Sequence, residues 1–221
     1  MAKKKTPPIV PTENFLPDKR TIPALKKAAA ACRGCPLYLQ ATQTVFGEGS
    51  AGAKIVLVGE QPGDQEDLAG RPFVGPAGKL LDRALAAAGL ARSAVYVTNA
   101  VKHFNFEPRG KFRLHKRPPA TAIKACRPWL DAELEALRPA VVVLLGATAA
   151  QAILGASFRV TRDRGKVLQG SFIATFHPSA LLRAPDPAAR EESFALLVAD
   201  LKLARKVSGK RMGTAPPNPL R

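Results

Sequence analysis

Residues 54–90 read KIVLVGEQPGDQEDLAGRPFVGPAGKLLDRALAAAGL, and this stretch decides the fold. Ile55, Val56, Leu57 and Val58 form an unbroken apolar run with no polar alternation, the pattern of a strand covered on both faces. Gly59, Pro62 and Gly63 then shape a tight turn, and from residue 75 to 90 an Ala/Leu-rich stretch has helical character. Strand, turn and helix together make one unit of a parallel α/β sheet. The unit recurs. AVYVTNAV (94–101), AVVVLLG (140–146) and SFIATF (171–176) are further strand-length runs, and helical stretches occupy 120–137, 147–155 and 190–207. The expected fold is a three-layer α/β/α sandwich around a central four-stranded parallel sheet.

A chain of 221 residues fills one such domain and is short for two. The domain is expected over 23–207, after a flexible basic arm rich in Lys and Pro (1–22) and before a flexible tail (208–221). Thirty-four Lys and Arg against 17 Asp and Glu give a net charge of +17, the footprint of a protein that meets a polyanion, nucleic acid before a membrane surface. No run of 18 apolar residues occurs, and MAKKKTPPIVPTENF lacks the apolar core of a secretory signal, so the expectation is a cytoplasmic protein with no membrane partner.

Cys32, Cys35 and Cys126 cannot pair completely, and a cytosolic chain has little use for disulfides. The C-x-x-C spacing reads as a metal half-site or a redox pair. A thioredoxin-like redox pair belongs at a strand-to-helix junction, whereas ACRGCPLYLQAT precedes the first clear strand, which favours metal over redox and leaves incidental thiols as the alternative.

In open parallel sheets ligands bind beyond the carboxyl ends of the strands. Those ends carry Glu60, Gln61, Asp64, Glu66 and Asp67 after the first strand, Asn99 and His103 after the second, and His177 after the fourth. Singly, each has a purely structural reading: Glu60 as a helix cap, Asn99 as a turn residue, His177 as a satisfied loop histidine. Their convergence on one edge favours a ligand site.

GEQPGDQEDLAGRPFVGPAGKLLDRAL, YVTNAVKHFNF, ACRPWL, LLGATAAQAILG, FRVT and HPSALLR, in that order over roughly residues 30–205, resemble the uracil-DNA glycosylase superfamily. The likeness is to its iron-sulfur branch, close to the family-four enzymes, and within it to the UdgX-type proteins. The resemblance implies a [4Fe-4S] cluster held by Cys32, Cys35, Cys126 and, where the family has a fourth cysteine, His103. A Cys3His zinc site has the same ligand logic. The cluster would be structural, tying the segment around Cys32 to the chain beyond the second strand. For the reaction, the resemblance implies that Phe73 stacks on a flipped uracil and Asn99 reads its Watson-Crick edge. Glu60 would stabilise the sugar cation or orient water, and His177 would stabilise the departing uracil anion, while Gln61 and Asp64 position substrate and the adjoining loops. Without the resemblance Phe73 reads equally well as core packing.

UdgX-type proteins carry a Lys-Arg-Arg-Ile-His signature whose histidine attacks the sugar C1′ and leaves a stable protein-DNA adduct. GKFRLHKRP (110–118) matches it at Lys111, Arg113 and His115, with Leu114 for isoleucine and Phe112 in place of the first arginine. The implied activity is uracil excision followed by covalent capture through His115. The implied partner is uracil-containing DNA, single-stranded or flipped from duplex, met by a monomer. The alternatives are a conventional multiple-turnover uracil-DNA glycosylase and a non-catalytic DNA-binding protein on the same scaffold. Lys102, Arg109, Lys111, Arg113, Lys116 and Arg117 are expected around the mouth, on the phosphates beside the flipped nucleotide.

Overall fold

The structure is a computed structural model that describes residues 10–210. Its helices are α1 (Ile22–Ala29), α2 (Asp64–Ala69), α3 (Pro76–Ala87), α4 (Ala120–Leu137), α5 (Gly146–Leu154), α6 (Val160–Asp163), α7 (Pro178–Leu182) and α8 (Pro187–Lys210). Its strands are β1 (Glu48–Gly49), β2 (Ile55–Gly59), β3 (Val95–Asn99), β4 (Phe106–Arg109), β5 (Phe112–His115), β6 (Val141–Leu145), β7 (Val167–Leu168) and β8 (Phe172–Thr175).

Four strands, in the order β3-β2-β6-β8, run parallel with every residue buried. This is the four-stranded core expected from the apolar runs. Two short strands extend it, β1 antiparallel to β3 and β7 antiparallel to β8, so among the described residues the sheet has six strands. Each added strand is two residues long, too short to leave a periodicity in the sequence, and each blunts an open sheet edge. Side chains alternate along the strands and divide the interior in two. Ile55, Leu57, Val97, Val143 and Ile173 meet α3 and α8 through Leu81, Leu85, Leu197 and Leu201. Val56, Val58, Tyr96, Val142 and Leu144 face the opposite way, towards Leu130 and Leu134 of α4 and Ala149 and Ala150 of α5. Each such aliphatic side chain contributes about 1.5–3 kcal/mol when fully buried, and this fixes the heights of the strand ends that form the site.

A third cluster joins α1 to α4 through Leu25, Ala29, Cys32, Phe46, Cys126 and Trp129. The chain ahead of it is packed well before residue 23. Thr12 is buried and donates its hydroxyl to the carbonyl of Ala125 in α4. Residues 1–9 of the expected arm and 211–221 of the expected tail lie outside the described residues, and α8 runs on to Lys210. Among the described residues no helix is long and apolar enough to cross a membrane.

One element departs from the layers. Among the described residues β4 and β5 pair only with each other, with Arg109 opposite Phe112 and Phe106 opposite His115. Gly110, at φ +58°, opens the two-residue turn between them, a backbone conformation that glycine takes without strain. Residues 106–115 thus form a β-hairpin, and His115 is the last residue of its second strand.

Candidate active site

The carboxyl ends of β2, β3, β6 and β8 open on one cleft of about 750 Å³, bordered by Glu60, Gln61, Phe73, Asn99, His115 and His177. Sequence reasoning had singled out all six, and the fold brings them together. The cleft depends on a missing side chain at the end of β2. A Cβ on Gly59 would come within 2.4 Å of Asn99 Oδ1 and 2.7 Å of Phe73 Cζ, so only glycine lets those two groups close over the strand.

Phe73 sits at φ +56°, unusual for a residue with a side chain, and its ring is buried. Glu66 holds it there. One carboxylate oxygen accepts from the backbone N–H of Val74 (3.0 Å) and of Gly75 (2.7 Å), and the other from that of Gly63 (3.1 Å). This role was missed at the level of sequence. The available signal was an acid in the first turn of a helix, three residues beyond Gly63.

Asn99 is 2% exposed, and its Oδ1 has no hydrogen-bond partner. An orphaned buried acceptor costs on the order of 1–3 kcal/mol, an expense that a ligand N–H would remove. His177 presents the complementary group. Its Nδ1 accepts from the backbone N–H of Ser179 at 3.2 Å and lies 2.8 Å from the Ser179 hydroxyl. Burial above all, then the nearby His115 and Arg183, lowers its pKa to about 4, so the ring is neutral. A neutral ring that accepts at Nδ1 carries its proton on Nε2, which makes that atom a donor. The Phe73 and His177 rings lie 6.0 Å apart between centroids, inclined at 31°.

Glu60 divides its oxygens. Oε2 accepts from the Thr148 hydroxyl at the start of α5, and Oε1 lies 3.6 Å from His115 Nε2. Thr148 was not foreseen; it stands just beyond the end of β6, where strand-end logic applies to it as well. Gln61 ties the hairpin to the sheet. Its Oε1 accepts from Asn105 N–H (3.1 Å), its Nε2 donates to the carbonyls of Asn105 (3.1 Å) and Lys116 (3.0 Å), and Nε2 also lies 3.0 Å from His115 Nε2. When His115 carries its proton on Nδ1, its Nε2 lone pair faces Gln61; in the other tautomer Nε2–H points at Glu60.

Two expected mouth cations turn inward. Arg113 donates to Asp64 (2.5 Å), to the fully buried Asp67 (2.6 Å) and to the Thr42 hydroxyl (3.1 Å), and its guanidinium lies over the rings of Phe104 and Phe106. With its donors so engaged, Arg113 anchors the hairpin to α2, and Asp64 is its partner there. Lys102 is 1% exposed, bound to Glu133, the Thr98 hydroxyl (2.6 Å) and the Asn99 carbonyl (2.8 Å). Lys111, Arg109 and Lys116 are exposed on the hairpin and beside it, and Arg117 borders the cleft and donates to Gln151 at 3.0 Å.

On the far side of β3 the three cysteines and His103 are all buried. N–H groups point at two of the sulfurs: Trp129 Nε1 at Cys32 (3.2 Å), Gly34 N at Cys32 (3.5 Å) and Lys102 N at Cys126 (3.3 Å). Burial pushes the Cys126 thiol up to about 12 and raises that of Cys35, so only a bound cation would draw out the thiolates. His103 Nε2 lies 2.9 Å from Thr44 Oγ1, whose single hydrogen goes to the Ala29 carbonyl. The imidazole must therefore donate from Nε2. Burial lowers its pKa to about 4, so the neutral ring keeps a lone pair on Nδ1. The donor types suit an iron-sulfur cluster or zinc. Among the described residues, however, no group of three or more His, Cys, Asp or Glu side chains stands closed around a metal position.

An unmet acceptor and a neutral donor beside a tilted aromatic ring, at the switch-point edge of a doubly covered parallel sheet, define an α/β protein with a cleft for a flat, hydrogen-bonding ring. The profile of the uracil DNA glycosylase superfamily matches residues 46–202, and the chain belongs to that superfamily. The Type-4 uracil-DNA glycosylase of Thermotoga maritima is 41% identical over 157 residues, 69% of this chain and 78% of that protein. That of Archaeoglobus fulgidus is 38% identical over 195 residues, 83% of this chain and 92% of its own length. That of Sulfurisphaera tokodaii is 36% identical over 174 residues, covering 73% and 76%.

Proposed function

We propose that the protein excises uracil from DNA and then captures the sugar C1′ through His115. The Type-4 relatives support the excision, and the cleft supplies its parts. Asn99 accepts from uracil N3–H at the orphaned Oδ1 and donates from its amide nitrogen to O4. Phe73 stacks on the ring. As the N-glycosidic bond lengthens, negative charge gathers on uracil O2, where His177 Nε2–H donates to it without giving up a proton. Glu60, held through Thr148, lies beside the sugar that becomes cationic.

The observation that carries the capture step is the 3.6 Å between His115 Nε2 and Glu60 Oε1. The carboxylate that stabilises the cation thereby stands next to the nucleophile that can quench it. In the Nδ1–H tautomer the Nε2 lone pair forms the bond to C1′, the uracil anion takes its electron pair from the broken bond, and the imidazolium sheds its Nδ1 proton to water. His115 is half exposed, so water reaches Nδ1.

Cys32, Cys35 and Cys126, with His103 through Nδ1, are the residues that would hold a [4Fe-4S] cluster. Such a cluster would act as a cross-link between the segment before β1 and the chain beyond β3. The conventional reading is also favoured by a particular contact: Glu60 is anchored by Thr148 whether or not the hairpin is present, and it could direct water to C1′ instead.

A uracil-containing single strand mixed with protein and run on a denaturing gel decides between them. The expected result is a shifted band resistant to heat and detergent, lost in His115→Ser while uracil release persists. Free abasic DNA with many turnovers per wild-type molecule would exclude capture, and failure to release uracil would overturn the glycosylase reading itself.

A further inference from the structure

We propose that the outer face of the β4–β5 hairpin is a stacking platform for an unpaired nucleobase neighbouring the one held in the cleft. The inference rests on the glycosylase reading for what the cleft holds; the face itself is defined by strand register. Phe106 with His115, and Pro108 with Arg113, form one face, while Arg109 with Phe112, and Glu107 with Leu114, form the other. The inner face is committed, His115 to the cleft and Arg113 to Asp64 and Asp67. The outer face carries Phe112 at 62% exposure and Leu114 at 44%. Among the described residues Phe112 is the one aromatic side chain counted with the exposed large hydrophobics. Folding gains little from a phenyl ring there, so its apolar surface is available to a ligand.

Charge and position say which ligand. Lys111 Nζ lies 5.5 Å from the Phe112 ring centroid, and Arg109 stands opposite it across the hairpin. An apolar ring set among cations suits a strand that alternates flat bases with phosphates. Phe112 and His115 belong to one strand, three residues and about 10 Å apart. A DNA strand whose nucleotide enters the cleft beside His115 therefore passes the tip within reach of a neighbouring nucleotide. In a duplex that neighbour is still held by its pairing partner and by the base stacked on its other side, so the platform favours single strands. Stacking on Phe112 is indifferent to sequence, because every base has a π face.

The test uses short single strands in which the target nucleotide is 2′-fluoro-2′-deoxyuridine. The fluorine destabilises the sugar cation, so the bond stays intact. 2-Aminopurine is placed on one side of the target or the other, and its fluorescence is read together with the dissociation constant. With wild type, one of the two probes is quenched. Phe112→Ala and Phe112→Leu abolish that quench and weaken single-strand binding by at least about fivefold, the lower end of what one stacked base contributes. Phe112→Trp retains both. Binding to a fully paired duplex changes less than about twofold in the same variants. The proposal is overturned if neither probe is quenched, if Phe112→Leu behaves as wild type, or if single-strand and duplex binding fall equally. Uracil release from an unmodified strand separates the two readings. Release without quenching removes the platform and leaves the glycosylase; quenching without release removes the glycosylase and leaves the platform.

Discussion

The cleft has a floor and a roof, and they are built by different means. The floor, with Asn99, Phe73 and His177, stands on strands whose every residue is buried, and its polar groups are placed by backbone: Gly59 clears space, and Ser179 N–H fixes a tautomer. The roof is a two-stranded hairpin that, among the described residues, pairs with no other strand. Two isolated strands are marginal in water, so the roof depends on side-chain contacts with the rest of the fold, chiefly those of Gln61 beyond β2 and the pairing of Arg113 with Asp64 and Asp67 of α2. On the proposed mechanism, base recognition is therefore a property of the fold and capture of C1′ a property of an attachment, and substitution should separate them.

The largest expected effect is in the floor. Asn99→Ala removes the unmet acceptor, and His177→Ala removes the donor proposed for the developing anion. Each should lower kcat/KM for uracil release from a single strand by a factor on the order of 10²–10³, the usual cost of one such preorganised group. Tm should change far less, because Asn99 Oδ1 has no partner to lose and His177 Nδ1 bonds to Ser179 within its own turn. A loss under tenfold in both would mean that recognition is not seated in the floor.

A roof substitution should do the reverse. Arg113→Ala leaves the carboxylate of Asp67, fully buried, with only the Thr42 N–H contacts at 3.0 Å. The cost should be roughly 2–3 kcal/mol, read as a lowered Tm. Adduct yield on the denaturing gel should fall at least about tenfold, with uracil release kept within about threefold. Arg113→Lys should rescue little, since one ammonium cannot span Asp64, Asp67 and Thr42 as the guanidinium fork does. Equal loss of adduct and release would show that floor and roof are one unit.

The same division governs what the sequence revealed. The four parallel strands were legible because burial on both faces forces an apolar run, and the strand-end rule then collected Glu60, Gln61, Asn99 and His177. The hairpin was not, because its outer face is exposed and charged, and Pro108 within β4 argues against a strand. The usable signal was Gly110-Lys111 as a two-residue turn with glycine first. Arg113 and Lys102 were read as mouth cations because their partners lie far along the chain. Asp64 and Asp67 meet Arg113 only once the hairpin folds back, and Glu133 meets Lys102 only across the packing of α4 on β3. A count of basic residues says where charge is plentiful, not which charges are already neutralised. Cys32 and Cys35 were read from their C-x-x-C spacing as a candidate metal half-site with Cys126 as a remote third thiol, while Thr44, which sets the tautomer of His103, has no mark in sequence.

The smallest expected effect concerns acid, and it too belongs to the floor. An unfolded His177 titrates near 6.5, whereas in the folded chain burial, with His115 and Arg183 nearby, lowers it to about 4. Above about pH 6.5 the ring is neutral in both states and adds no pH dependence. Between about 6.5 and 4 the unfolded chain binds a proton that the folded chain refuses, so stability falls as pH falls; below about 4 both states are protonated and the loss levels off. At pH 5 the share from this one group is on the order of 1–2 kcal/mol. Thermal unfolding at pH 7 and pH 5 should show the drop, and His177→Gln, which has no titrating ring, should shrink the interval between the two Tm values by several degrees whatever it does to either alone. An unchanged interval would mean that His177 is solvated or already paired in the folded protein, and the Nε2–H donor assigned to it would lose its basis.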